Sequence, residues 1–204
     1  MHSTLQRLNH ISSTATTYVL ILLSLISITS YLTLPPVAPG KLEIRDLIVQ
    51  RGRLRRWGAK EEDLASLRFD LKTDLEPLLN SYNTKQLFLY LTASYTDSLD
   101  AQDHEVVLWD RIITRGDIRD LRSVNKSKSS KSKSTKSKRS RAGRGRVWVE
   151  EGKNKYTWKM PSGSFKGVQN ANLTVYYSLM PYVGLLSSGV AATATSAIHV
   201  PNVA

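Results

Sequence analysis

The sequence predicts a mainly β chain: an N-terminal transmembrane helix, then an antiparallel, sandwich-like β domain interrupted by a disordered basic insertion. Three observations predict it. Residues 18–34, YVLILLSLISITSYLTL, are mostly apolar with only Ser and Thr interrupting, and no formally charged residue lies between Arg7 and Lys41. Beyond them, short alternating or apolar runs separated by turn signals recur with no alternating helical pattern, which favours packed antiparallel sheet over a parallel α/β fold. The formal charge of +12 is concentrated: residues 124–146 hold ten Lys and Arg and no acid, and outside that tract the body is nearly neutral.

The helix is assigned to residues 13–34 and follows a short tail, 1–12. About 20 helical residues cross a hydrocarbon core of about 30 Å, and the uncharged stretch is long enough. A cleaved signal peptide also begins with a basic residue and an apolar run, but its apolar part is usually about 7–15 residues long. The longer run here favours a retained anchor. Pro35, Pro36 and Gly40 mark the exit from the helix. Charge alone leaves orientation in conflict: Lys41, Arg45, Arg51 and Arg53 outnumber Arg7 beside the span, which by the positive-inside tendency puts the C-terminal side in the cytosol. Asn172-Leu173-Thr174 and Asn125-Lys126-Ser127 are N-glycosylation acceptor sequences that point the other way.

The domain is assigned to residues 41–204. KLEIRDLIVQ at 41–50 reads as a strand whose apolar register breaks between Ile44 and Leu47, as a β-bulge would make it. Residues 67–72 alternate, with Leu67, Phe69 and Leu71 facing the core. Residues 73–76 suit the start of a short helical turn. QLFLYLTA at 86–93 is apolar on both alternating sets and predicts a central strand. Residues 106–109 and 110–113 form the next strand, with Arg115-Gly116-Asp117 as a turn. Residues 156–159 and 173–180 follow. In the latter, Leu173, Val175, Tyr177 and Leu179 share one face, so Asn172 falls on the other and points outward. The last stretch, 184–204, is rich in small residues and ends in a strand near 197–200 or frays.

The tract 124–146 alternates Lys with Ser and lacks large apolar residues, so it cannot bury enough surface to offset the entropy of ordering. It is read as a solvated loop. Weak salt-sensitive binding of phosphate groups is the competing role. The absence of interleaved aromatics argues against single-stranded nucleic acid as a partner.

Chemistry-bearing patterns are sparse. The histidines, His2, His10, His104 and His199, have no i, i+4 spacing that puts two ligands on one helix face. No metal and no cofactor is expected. With no cysteine in the chain, thiolate nucleophiles, disulfides and Cys-ligated zinc are excluded. The Ser–Lys pairs of the basic tract lack the rigid, desolvated lysine that a Ser–Lys dyad needs. Asp97, Asp100, Asp103 and Glu105 read as a solvated turn rather than a catalytic pair, and Trp109 as a packed aromatic at a strand end. No catalytic residue is assigned.

The blocks NTKQLFLYLTASY (83–95) and VVLWDRIITRGD (106–117), with LRFDLKTDLEPLLN (67–80), the N-x-T at Asn172 and the P-x-x-G at Pro181, occur in an order that resembles the signal peptidase complex subunit 3 family. The resemblance covers most of the chain, and it marks the basic tract, with 147–154 beside it, as an insertion. It implies a non-catalytic accessory subunit, single-pass type II in the endoplasmic-reticulum membrane, with a cytosolic N-terminus and a lumenal domain. The implied partners are a catalytic serine peptidase subunit and small membrane subunits, with nascent signal peptides met indirectly. The domain would stabilise and position that peptidase. Asn172 matches the family's glycosylation position, and Asn125 is a second possible acceptor. Two other classes remain beside this one: a secreted or anchored binding module, and a phosphate or nucleic-acid binder using the basic tract.

Overall fold

The computed structural model describes residues 3–53, 60–98, 102–114 and 146–201. Its first element is a single helix, α1 (Thr4–Leu32), started by Ser3, whose Oγ accepts the Gln6 N–H at 3.3 Å. Helix therefore reaches nine residues into the tail predicted at 1–12, and it ends at Leu32, with the Thr33 N–H closing on the Thr29 carbonyl at 3.0 Å. No residue of α1 is buried, and its 29 residues make a rod about 43 Å long. The Ser and Thr that interrupt the apolar run are compatible with lipid because their hydroxyls donate one turn back: Ser24 to the Leu20 carbonyl at 2.7 Å and Thr29 to the Leu25 carbonyl at 2.8 Å.

After a linker whose Leu34 and Val37 pack on the core, the remaining elements are β1 (Gly40–Arg53), β2 (Glu61–Asp74), α2 (Glu76–Leu79), β3 (Thr84–Asp97), β4 (Gln102–Thr114), β5 (Arg146–Lys153), β6 (Trp158–Lys159), β7 (Asn170–Pro181), β8 (Ser187–Ala194) and β9 (Ile198–His199). They form one continuous sheet in the order β4-β3-β7-β8-β1-β2-β5, with β6 on β2 and β9 on β7. Neighbours pair antiparallel, apart from a short parallel stretch in which Lys41 of β1 meets Thr193 of β8. The predicted bulge is present: β1 slips against β2 between Ile44 and Asp46, so that both sides of the break bury their apolar residues.

The sandwich-like shape arises because this sheet curls until its β4 edge faces β2. Phe69 of β2 meets Trp109 of β4 edge-to-face at 5.7 Å, although β4 and β2 stand first and sixth in the sheet order. The connection after β5 stitches the seam, with the Asn154 N–H donating to the Leu67 carbonyl at 3.2 Å and the Lys155 N–H to the Leu108 carbonyl at 2.9 Å. Lys155 Nζ then pairs with Asp110 at 2.9 Å, and Tyr156 Oη donates to the same carboxylate at 3.1 Å. Leu67, Phe69, Leu71, Leu87, Leu89, Leu91 and Trp158 fill the interior and are fully buried.

Two strands depart from the expectations. Residues 147–154, grouped with the insertion, include most of β5, which pairs with β2 and buries Val147 and Val149. The stretch after 184 contains β8, an interior strand. Its small residues are what let it sit there. Tyr177 of β7 lies across Gly189, where a Cβ would stand 2.6 Å from the phenol oxygen, and Ala191 and Ala192 are fully buried. The basic tract lies outside the described residues except Arg146, which opens β5 and pairs with Asp74 at 3.2 Å.

Candidate functional site

The titratable groups serve packing. Asp97 is not in a solvated turn, as expected, but in β3, and it is buried. Residues 102–105 extend β4 antiparallel to it, because the β3–β4 hairpin continues well past the apolar block. Asp103 accepts from Thr96 Oγ1 at 2.7 Å, while Asp100 lies outside the described residues. The buried Asp63 accepts the Phe165 N–H at 3.3 Å and faces Arg51 at 3.5 Å. Asp70, at the β2–β5 slip, accepts the Glu151 N–H at 2.7 Å and Arg45 Nε at 2.6 Å. That hydrogen bond, with the Asp70 charge behind it, raises the Arg45 guanidinium above its ordinary value. Asp63 and Asp70 thus hold a loop and a seam, while Asp103 lies on an open groove beside His104. Among the described residues no cluster of three His, Asp or Glu could hold a metal ion. His104 packs on the Tyr95 ring at 5.5 Å, His199 lies on β9 opposite Asn170 of β7, and His10 lies on α1.

Asn172 is exposed on β7, opposite Ser94 of β3, as the alternation predicts, while Leu173, Val175 and Leu179 are buried. It borders an open groove of about 650 Å³ lined also by Ser94, Thr96, Asp103, His104 and Gln169. Burial raises the Tyr95 phenol at the groove's floor and keeps it neutral. Asn125 lies outside the described residues.

The same outer face carries an aromatic stripe. Phe88 and Tyr90, two residues apart on β3, stack at 5.5 Å, and Tyr90 stacks on its cross-strand partner Tyr176 at 5.6 Å. Ile112 of β4 pairs with Phe88 and is 52% exposed, and Val190 of β8 pairs with Tyr176 and is 42% exposed. QLFLYLTA is thus apolar on both sets for different reasons: Leu87, Leu89 and Leu91 fill the core, whereas Phe88 and Tyr90 lie half-buried on the outside.

A clasp ties this sheet to the helix. Asn83, just before β3, donates through Nδ2 to Ser30 Oγ at 3.0 Å and to the Val183 carbonyl, and accepts the Val183 N–H at 3.1 Å. Its own carbonyl accepts the Tyr182 N–H at 2.8 Å. Gly184 packs against Ser27, and a Cβ there would stand 2.6 Å from the Ser27 Oγ; its φ of +116° also favours glycine. Sequence reasoning assigned Asn83 no role, and the signal was its place at the head of the KQLFLYL block together with the P-x-x-G at Pro181, two segments about 100 residues apart that the β3–β7 pairing brings together beside the helix.

A family model described as a signal peptidase subunit matches residues 1–140. The Yarrowia lipolytica protein named signal peptidase complex subunit 3 is 29% identical over 193 residues, spanning 90% of this chain and 89% of its own. The Saccharomyces cerevisiae protein of the same name is 29% identical, spanning 93% of this chain and 91% of its own. The human protein of that name is 27% identical over 72% of this chain and 67% of its own. Among solved structures, the sporulation control protein Spo0M from Bacillus subtilis aligns over 80% of this chain and 49% of its own, at 12% identity and a TM-score of 0.23, too slight a likeness to carry an argument. The order of the motifs, the apolar helix ahead of a β domain and the match over residues 1–140 agree: the chain belongs to the signal peptidase subunit family.

Proposed function

We propose that this chain is a non-catalytic subunit of a signal peptidase complex in the endoplasmic-reticulum membrane, where its domain stabilises and positions the catalytic serine peptidase subunit and small membrane subunits pack beside the span. The observation that carries this reading is the aromatic stripe. Phe88, Tyr90 and Tyr176 are only partly buried, with the exposed Ile112 and Val190 beside them, on one face of a sheet clasped to a membrane helix. Relatives bear the name of a subunit of a peptidase complex, and apolar side chains on a rigid face are what a permanent partner covers. Holding the reacting groups at a fixed place over the membrane is itself catalytic help, since a misplacement of about 1 Å can cost about a hundredfold in rate. The N-terminus is cytosolic and the domain lumenal in this reading, and Asn172, exposed on β7, is its glycan acceptor, with Asn125 a second.

Tagging the C-terminus, solubilising membranes in mild detergent and identifying co-purifying chains tests the partner. A serine peptidase subunit recovered in comparable amount with the wild type, and lost with Ile112→Lys combined with Tyr176→Ser, supports the stripe as its contact. A folded chain that arrives alone overturns the reading. Orientation has a separate test: an endoglycosidase-sensitive mass shift abolished by Asn172→Gln supports a lumenal domain, and acceptance of a glycan on the N-terminal side contradicts it.

A further inference from the structure

We infer that the loops at residues 80–84 and 182–186 rest in the headgroup region of the bilayer, so that the domain stands on the membrane at three points rather than swinging on its linker. The four most exposed large apolar or aromatic side chains of the described domain are Tyr82, Leu185, Leu186 and Tyr182, at 91, 73, 66 and 63%. All four lie on these two loops. The loops flank the end of α1, tied to it through Asn83 and Ser30 and through the close packing of Gly184 on Ser27. Segments 33–39, 80–84 and 181–188 contain no charged residue, and Lys85 is the first charge after the Tyr82 loop. Tyrosine and leucine without charge, beside the end of a span, is the composition of a membrane interface.

The helix sets the depth. Arg7, the only charge on α1, lies 20 residues before Ser27, and at about 1.5 Å per residue that is about 30 Å, the thickness of the hydrocarbon core. With Arg7 at one boundary, Ser27 reaches the other, and Gly184, which packs against Ser27, lies level with it, with Leu185 and Leu186 next in the chain. Were the crossing segment to end at Leu34 instead, these loops would be carried about 10 Å into hydrocarbon. Open loop backbone exposed to lipid is strongly disfavoured there. The far boundary therefore lies nearer Ser27 than the Leu34 of the assignment 13–34, and residues 28–32 rise inside the footprint of the domain. The inference rests on α1 being a membrane span, not on which subunit the domain carries.

The absence of cysteine gives a clean test with the full chain in phosphatidylcholine vesicles. Single variants Leu185→Cys, Leu186→Cys, Tyr182→Cys and, as a distal control, Ser162→Cys carry a polarity-sensitive fluorophore and are read against lipids with nitroxides at shallow and deep acyl positions. The expected result is blue-shifted, quenched emission at 185, 186 and 182, with a depth of about 5–10 Å, and a water-like, unquenched label at 162. Water-like emission at 185 and 186 from a chain that resists alkaline extraction overturns the docking and leaves the span standing. A chain that alkali extracts overturns both.

Discussion

Replacing Asn83 by alanine removes three side-chain hydrogen bonds at one point: one to Ser30 of the helix and two to the backbone of Val183. The Ser30 hydroxyl can turn to water or to its own helix, whereas Asn83 bonds both the N–H and the C=O of the partly buried Val183. At about 1 kcal/mol for each bond, the loss is about 2–3 kcal/mol, and a melting temperature lower by roughly 4–12 °C for a chain of this size. The four tryptophans all lie beyond the helix, so their fluorescence in detergent reports the domain alone. Ser30→Ala removes one bond and predicts a loss of about 1 kcal/mol or less. The double variant predicts a coupling energy between the two of about 0.5–1.5 kcal/mol. If Asn83→Ala lowers the melting temperature no more than Ser30→Ala, the loop is not held by Asn83 and the clasp has been given too large a role.

Three further outcomes are expected. Phe69→Ala empties a fully buried site against Trp109 and is expected to destabilise the domain by about 3–5 kcal/mol in urea titrations. The hydrogen bond from Lys155, assisted by its charge and by Tyr156, holds the Asp110 carboxyl below its ordinary value. Its stabilising contribution is therefore complete above the unfolded carboxyl's range near 3.9 and is lost as pH falls through the lowered folded value. The deficit of Asp110→Asn, about 0.5–1 kcal/mol at neutral pH, is expected to close below about pH 4, as paired titrations would read. Deleting residues 124–145 keeps Arg146 and its pair with Asp74 while shortening the connection between β4 and β5 from 31 residues to nine. Loop-closure entropy then predicts a gain of about 1 kcal/mol, measurable as a raised urea midpoint, with co-purification of the peptidase subunit unchanged.

The apolar helix, the bulge after Ile44 and the inward set of β7 were legible in the sequence because each is written in local periodicity. An uncharged run of helical length, a slip from odd to even apolar positions and a two-residue alternation can each be read without knowing what lies opposite. β8 could not be read that way. Gly189, Ala191 and Ala192 look like a tail until Tyr177 is found lying across Gly189 and the two alanines are found buried, since small residues signal strand only where a large neighbour fills the space. β5 was obscured for another reason: Val147 and Val149 alternate as a strand should, but they directly follow a tract whose charge and composition dominate any reading of that region. Phe88 and Tyr90 show the same limit, because a run apolar on both sets says that two faces are occupied, not whether the second is covered by this chain or left for another.

The motif order determined family kinship, and composition determined which chemistries to exclude, since an absent cysteine is absent in any fold. What only the tertiary structure decided is where distant segments meet. Asn83 and Val183 stand 100 residues apart in the chain, and the apolar residues of their loops become meaningful beside Ser27 and Ser30 because the curled sheet returns both loops to the end of the helix. A side chain's identity is local, but its neighbours, its exposure and its height above a membrane are set by the path of the whole chain.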